Sequence, residues 1–411
     1  MLYSEITECR ICKNKNLHQV LDLGIQAMTW IFPGQWEKDE TWPLVLVKCQ
    51  WDGNCWLLQL KHNYDLEKMY WDEYWYRSWL NAWMVAHLDE VVQSAKKMID
   101  LKPWDLVIDI ASNDGTLLGK YWDYWLELLW IDPTASKFSH YYPKFTNFIS
   151  DFFSADIVKN RTSKKAKLIT SISMFYDLPD PLQFVYDVKE ILDDDWIRIL
   201  EQSYMPTMIN MVSYDTICHE HLEYYALKQI KWMTDNAWMK IINVNFNDVN
   251  WWSFQVFVTK NLNKNEDKEI IEDILNSENL WWFTSGEVFD KFISNIEVHK
   301  NAVIKFFSDI QSDNKRIIWY GASTKWNVTL QYCGITKEML PYIAEVNEYK
   351  FWRETPGTRI PIISESEAHA MKPDYFFVLP WHFKEWILKR ERKFLDNGWR
   401  FVFPLPTLEI I

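Results

Sequence analysis

Glycine is scarce in this sequence, at 10 of 411 residues, where a globular chain carries roughly 7%. Other residues must then build the turns and helix ends that need a left-handed backbone. Basic charge is also short. With 44 Lys and Arg against 57 Asp and Glu, the net charge is −13, which argues against a nucleic-acid backbone as partner. No apolar run approaches the roughly 18 residues of a membrane span. The start, Met1-Leu-Tyr-Ser-Glu-Ile-Thr-Glu-Cys9, lacks the basic and apolar regions of a signal peptide. The expectation is a cytoplasmic chain, with no membrane and no nucleic acid as partner. The G-x-G-x-x-G fingerprint is absent, which argues against a dinucleotide enzyme. Cysteines number only six, and in a cytoplasmic chain disulfides are the weaker use for them.

Tryptophan is what the chain has in excess, at 26 residues. Many stand in turn contexts, where a bulky side chain is disfavoured. Asn250-Trp251-Trp252 separates two strand-like segments. Asp195-Trp196 and Asn397-Gly398-Trp399 follow helical ones, and Trp71, Trp75, Trp79 and Trp83 crowd one polar stretch. One reading is an aromatic-rich protein. The other is that many of these tryptophans occupy glycine positions, as when a gene that uses UGA for glycine is translated with UGA as tryptophan.

The rest of the chain is organised around Leu106-Val-Ile-Asp-Ile-Ala-Ser-Asn-Asp-Gly-Thr-Leu117. An apolar strand runs into a tight polar turn, Ser112-Asn113-Asp114-Gly115, and then a predicted helix, which is the layout of a nucleotide-binding corner. A second apolar strand ends on Asp132-Pro133, where a carboxylate can accept ribose hydroxyls. This pair of signals resembles the S-adenosylmethionine (SAM) corner of class I methyltransferases. Strands are predicted near 105–111, 126–131, 145–149, 167–172 and 196–202, with helices over 83–99 and 181–192. An antiparallel pair is predicted at 239–246 and 252–259. Such alternation predicts a parallel sheet covered by helices. Residues 261–280 read as a solvated connection and exposed helix, and 286–312 as a long helix. A second α/β unit follows, with strands near 316–320, 341–346, 373–379 and 399–403.

Four cysteines cluster early, Cys9-Arg-Ile-Cys12 and Cys49 with Cys55. Two knuckles suit a tetrahedral Zn²⁺ held by four thiolates. The second knuckle is wider than usual, with Asp52-Gly53-Asn54 as a looped connection. Cys9-Arg-Ile-Cys12, Val20-Leu-Asp-Leu-Gly24-Ile-Gln26, Cys55-Trp-Leu-Leu-Gln59-Leu and Tyr74-Trp-Tyr-Arg-Ser78-Trp-Leu-Asn81 together resemble the sugar C-methyltransferase family. So do Tyr320-Gly-Ala-Ser-Thr-Lys-Trp-Asn327, Glu354-Thr-Pro-Gly-Thr358 and Val378-Leu-Pro-Trp381. The family typically has glycine where Trp56, Trp326 and Trp352 stand here. The resemblance implies an α/β chain in three parts. These are a zinc-binding domain over 1–70, a class I SAM-methyltransferase Rossmann-like sheet over 71–260 and a C-terminal Rossmann-like α/β domain over 261–411.

Between the fifth strand and the hairpin lies Cys218-His219-Glu220-His221, followed by Tyr224 and Tyr225. Adjacent His-Glu-His residues do not share a helical face as an H-E-x-x-H metal site does. A hydrogen-bonded cluster and acid–base chemistry are the competing readings, the second because histidine titrates near neutrality. The resemblance implies that His221 removes the proton from the carbon to be methylated, with Cys218 where many members have tyrosine. It implies a nucleotide-linked keto-sugar substrate, since only a hydrogen beside a ketone is acidic enough to leave. Tyr76, Tyr224 or Tyr225 would hydrogen-bond the oxyanion, and Glu220 and His219 would assist. SAM would contact Ser78, Asp109, Ser112, Asn113, Asp114, Gly115, Asp132, Pro133, Asp151 and Phe152. Ser323, Thr324, Lys325 and Asn327 would bind substrate, because backbone donors and a lysine suit a phosphate. The alternatives are an oxygen- or nitrogen-directed methyltransferase and a non-catalytic scaffold.

Overall fold

The computed structural model describes residues 3–50, 55–65, 76–142, 147–248, 252–280, 286–379, 381 and 384–411. Positions 52–54, 71, 74, 75, 250, 251 and 380, singled out above, lie outside them. Among the described residues no helix is long and apolar enough to cross a membrane.

The first unit is an antiparallel sheet. Thr41–Cys49 is buried at all but its first residue, because it is flanked on both edges, by Leu17–Ala27 and by Leu58–Leu60. A fourth strand arrives from far along the chain. Glu223–Tyr224 pairs outside Leu58–Leu60, with Glu223 opposite Gln59 and Tyr224 opposite Leu58. The segment just after the two histidines is therefore part of the first unit's sheet.

The second unit is a seven-stranded sheet. Across it run Asn147–Ile149, Glu127–Ile131, Leu106–Ile110, Ala166–Ile172, Leu192–Ser203, Ser253–Thr259 and Lys240–Asn247. Numbered along the chain the order is 3-2-1-4-5-7-6, with Ser253–Thr259 antiparallel to both neighbours. Leu106–Ile110 is buried throughout, as a strand covered on both faces must be. The Ala82–Met98 helix begins at Asn81, whose side chain accepts from the amides of Trp83 and Met84, and its Met84, Leu88, Val91, Val92 and Ala95 enter the core. The helix expected after Gly115 is a 3-10 helix, Leu118–Tyr124. The fifth strand starts earlier than expected, at Leu192, with an irregular register before Ile197.

The third unit is a six-stranded sheet of order 3-2-1-4-5-6, made of Ile362–Ser364, Ile343–Glu345, Ile317–Tyr320, Tyr375–Val378, Arg400–Phe403 and an antiparallel Glu409–Ile410. The Glu287–Ser312 helix leads into it. The 261–280 stretch is mostly exposed, as expected, with one charged exception. Its Lys268–Glu278 helix ends on a fully buried Glu278. That carboxylate accepts from the amides of Leu227 and Lys228 at 2.7 and 2.9 Å and from Tyr204 Oη at 2.8 Å. It thus serves the exposed amides at the start of the Leu227–Asn236 helix.

The glycine shortage shows directly in the backbone. Trp56, Trp104, Trp125, Trp238, Trp252 and Trp352 all have φ between 54° and 71°, where a bulky residue is an outlier. Trp104, Trp125, Trp238 and Trp352 are also 70–81% exposed, so packing gives no reason for their size. Other suspected positions differ. Trp196 lies within the fifth strand, Gly398 rather than Trp399 takes the left-handed turn, and Trp326 is fully buried at a helix start. Replacing Trp104, Trp125, Trp238 or Trp352 singly by Gly should raise stability by about 1 kcal/mol, the strain of a left-handed L-residue. Urea midpoints read this, and a fall at all four would show the strain to be compensated. The gene should carry UGA at the six left-handed tryptophans; UGG there ends the glycine reading.

Candidate functional site

The four early cysteines converge. Sγ separations are 3.4 Å for Cys9–Cys55, 3.4 Å for Cys12–Cys55 and 3.5 Å for Cys12–Cys49, and all four sulfurs lie within 4.8 Å of one another. A disulfide needs about 2.05 Å, whereas four Zn–S bonds of about 2.3 Å give sulfur separations of about 3.8 Å. The donor set fits a closed structural Zn²⁺ site. Between the cysteines, Arg10 turns inward and donates to Leu60 O and His62 O, at 2.7 and 2.8 Å. Its Nε lies 3.3 Å from Glu223 Oε1, with both side chains buried.

The open edge of the second sheet faces a cavity of about 770 Å³, within the range of ligand sites. Ser78, Asp109, Ser112, Asn113, Asp132, Pro133, Asp151 and Phe152 line one side. Asp132 is at the tip of the second strand, where an α/β sheet binds ribose. Its Oδ2 accepts from Asn113 N at 2.9 Å, and its Oδ1 from Thr134 N at 2.7 Å. Burial raises its pKa, and these bonds oppose the rise. Asp109 takes Thr170 Oγ1 at 2.5 Å rather than bonding the turn, and burial pushes its pKa to about 7. Asp151 accepts its neighbour's amide, Phe152 N, at 2.7 Å.

Asp114 and Gly115 are not on the cavity wall. Asp114 instead accepts from Trp79 N at 3.0 Å and Thr116 Oγ1 at 2.6 Å. Asn113 donates to Tyr76 O at 2.9 Å and accepts from Ser78 N at 3.1 Å. These two side chains hold the 76–79 segment against the turn. Gly115 has φ +80°, and a Cβ there would sit 2.7 Å from Tyr142 Cδ1, so the turn needs glycine.

The His-Glu-His segment splits by burial. His219 is a core residue. Its Nε2 lies 3.3 Å from Trp42 O, its ring meets Trp30, Trp42 and Tyr64 edge-on, and burial pushes its pKa to about 4. Glu220 and His221 line the cavity. His221 Nδ1 donates to Thr216 O at 2.9 Å, which leaves Nε2 as the basic nitrogen. Burial, and then the Lys325 ammonium, push its pKa well below 6.5. The unperturbed value expected from sequence does not hold, because the ring is only 6% exposed. Burial pushes Glu220 up to about 7, with Lys325 opposing. The Cys218, Glu220 and His221 donor atoms fall within 4.8 Å of one another.

Of the three tyrosines, only Tyr76 reaches the cavity. Tyr224 and Tyr225 are buried outside it. Tyr224 Oη donates to Thr216 O at 3.4 Å, and the Tyr225 ring packs on Phe175. Ser323, Thr324 and Lys325, from the third unit, also line the cavity. Asn327 is away from it, donating to Thr29 O at 2.7 Å and joining the first and third units. The sequence reading missed Trp30, Phe32, Tyr176, Lys350 and Arg353, which also line the cavity. Tyr176 was accessible in principle, since it follows directly on the tip of the fourth strand, where α/β sheets place ligands.

Residues 250–406 match the family described as "C-methyltransferase C-terminal domain", and residues 9–70 the one described as "Putative zinc binding domain". The chain is 24% identical over 411 residues to the C-methyltransferase NovU of Streptomyces niveus, covering 99% of this chain and 97% of that protein. Solved structures resemble part of it. One is a Haloferax volcanii complex of the Trm112 methyltransferase activator with a methyltransferase, at 10% identity and TM-score 0.36, covering 43% of this chain and 92% of that one. Another is magnesium protoporphyrin IX methyltransferase of Synechocystis with bound SAM, at 12% identity and TM-score 0.32, covering 42% and 78%. The strand order, and not these partial likenesses, defines the fold.

Two outcomes are expected. The purified protein should hold about one equivalent of zinc by elemental analysis, and Cys12→Ser should lower stability and solubility, because metal binding and folding are coupled. A metal-free protein that melts normally contradicts this. Asp132→Ala should weaken SAM binding by about 1.5–3 kcal/mol in calorimetry, the range for a hydrogen bond to a charged group, with the fold intact. Unchanged affinity would move the cofactor elsewhere.

Proposed function

Because this chain belongs to the C-methyltransferase family and is a SAM-dependent methyltransferase, we propose that it methylates carbon beside the ketone of a nucleotide-linked keto-deoxysugar. One observation carries the reading. His221, with its tautomer set by Thr216 and its pKa lowered, lines the same cavity as the nucleoside corner at Asp132. SAM supplies an electrophilic methyl group on a sulfonium. His221 Nε2 takes the proton from the carbon next to the ketone and leaves an enolate as nucleophile. Being neutral in the resting site, it needs no deprotonation first. Glu220 orients a sugar hydroxyl, and Tyr76 lines the same cavity. Ser323, Thr324 and Lys325 face the substrate's phosphates, supported by the fit of backbone donors and an ammonium to an anion. The kinship with NovU, a C-methyltransferase, supports transfer to carbon. Transfer to oxygen or nitrogen is the second reading, because a neutral histidine also serves a hydroxyl.

His221→Ala should lower turnover by about 10²–10⁴, the range for a positioned base, while SAM binding stays unchanged. It should abolish exchange of the substrate's α-proton with deuterated solvent in the presence of a non-methylating SAM analogue. A reduced sugar nucleotide should be inert; if it is methylated as fast as the keto form, transfer is to oxygen or nitrogen. The pH profile has a defined sign. A base fails as pH falls through its pKa, and that of His221 is lowered, so the acidic limb of kcat/KM should lie below pH 6.5. Full activity in His221→Ala with loss in His219→Ala would move the base two residues upstream.

A further inference from the structure

The tip of the Ala166–Ile172 strand carries a phenol that the mechanism above leaves unused. Ser173 follows the strand with φ 55°, a left-handed backbone on a non-glycine residue. It is held there by its amide, which donates to Glu201 O at 2.7 Å. Residues in such conformations gather where a site dictates the chain path. The bend turns the chain out of the sheet into the short helical turn Phe175–Asp177. Phe175 anchors that turn. It is fully buried, with its ring 5.6 Å from Phe184 and 5.3 Å from Tyr225. The next residue, Tyr176, lines the cavity together with Glu220, His221, Asp109 and Asp132. Its ring centroid is 4.2 Å from that of His221, at 49°.

We propose that Tyr176 is a catalytic residue, the O–H donor to the substrate oxygen that becomes negative when His221 removes the α-proton. This rests on the keto-sugar reading above. The α-carbon and the carbonyl oxygen are only two bonds apart, so a base and an oxyanion donor must stand side by side, as these two rings do. Alternatives are less well placed. Tyr76 is 46% exposed, and Tyr224 and Tyr225 are off the cavity wall. The phenol also stays protonated. Burial, then the nearby Asp177 carboxylate, hold its pKa well above 10, and a hydrogen bond with the Ser173 side chain opposes the rise. In the step, the C–H bond breaks and its proton goes to His221 Nε2. The C–H pair becomes the carbon–carbon double bond, and the carbonyl π pair moves to oxygen, which accepts the Tyr176 hydrogen bond without taking its proton. The C=C π pair then forms the new bond to the methyl carbon as the oxygen's pair restores the carbonyl, and the pair of the breaking methyl–sulfur bond goes to the sulfonium sulfur, which would leave as a neutral thioether. A donor aimed at developing charge in a water-poor site is worth far more than the same bond in water.

The test is Tyr176→Phe in the full-length, zinc-loaded protein, with a nucleoside-diphosphate 4-keto-6-deoxyhexose as probe. The expected result is a fall of about 10²–10³ in kcat and in solvent exchange of the α-proton. The SAM dissociation constant and the melting temperature should stay near wild type. Exchange and kcat within threefold of wild type overturn the proposal, and so does a loss of activity that merely tracks a lower melting temperature. The two readings separate cleanly. If the wild type exchanges the α-proton and His221→Ala does not, the keto-sugar reading stands whatever Tyr176→Phe does. If the wild type exchanges no such proton, the keto-sugar reading fails and takes this inference with it.

Discussion

One buried ion pair ties the molecule together. Arg10, inside the first cysteine knuckle, meets Glu223, two residues beyond His221, with both side chains almost fully out of water. Burial pulls the Arg10 pKa down and the Glu223 pKa up, and each charge opposes the other's shift. Such a pair contributes little net stability, but losing one partner costs about 3–5 kcal/mol because a lone buried charge remains. The knuckle and the Glu223–Tyr224 strand are therefore ordered together. The metal that closes the knuckle does no chemistry. The Arg10–Glu223 contact places the chain just beyond His221 against the cysteine unit.

The same arrangement explains why the cavity needs three units. The second sheet supplies the strand tips at Asp109 and Asp132, but its open edge alone would be a wet crevice. The 27–39 stretch of the first unit reaches across to the third. Gln331 exchanges two hydrogen bonds with the Ala27 backbone, Asn327 donates to Thr29 O, and Arg353 donates to Phe32 O. Arg359 pairs with Asp39 at 2.9 Å. Trp30 and Phe32 are thereby set into the cavity wall beside Ser323 and Lys325. Burial against this wall lowers the His221 pKa and raises that of Glu220 to about 7, because a low-dielectric wall disfavours whichever form is charged.

Much of this was legible in the sequence. Leu106–Ile110 and its turn announced themselves by an unbroken apolar run ending in small polar residues, since a strand covered on both faces has no polar side to show. The Ala82–Met98 and Glu287–Ser312 helices were readable because helical periodicity is local. The metal set was readable because thiolate donors come from short knuckles. Tryptophan at a glycine-like site was readable from turn grammar at Trp252, and at Trp56 and Trp352 only through the family resemblance. At Trp196 and Trp399 it misled, because a strand and a neighbouring glycine met the backbone's needs there.

Thus the sequence by itself determined the elements, the cysteine donors and the strand-to-turn corner at Ser112–Gly115, all of which depend on neighbours a few residues apart. Only the tertiary structure decided which members of adjacent pairs face the cavity. His219 and His221 look alike in the chain, yet one is packed among Trp30, Trp42 and Tyr64 and the other faces the cavity. Tyr224 and Tyr225 were withdrawn into the core, and Tyr176 was brought against His221 from a strand tip 45 positions earlier. Periodicity cannot report such choices. They follow from which face of a loop meets a neighbouring unit, a contact between residues far apart in sequence, and that contact sets the dielectric in which each group titrates.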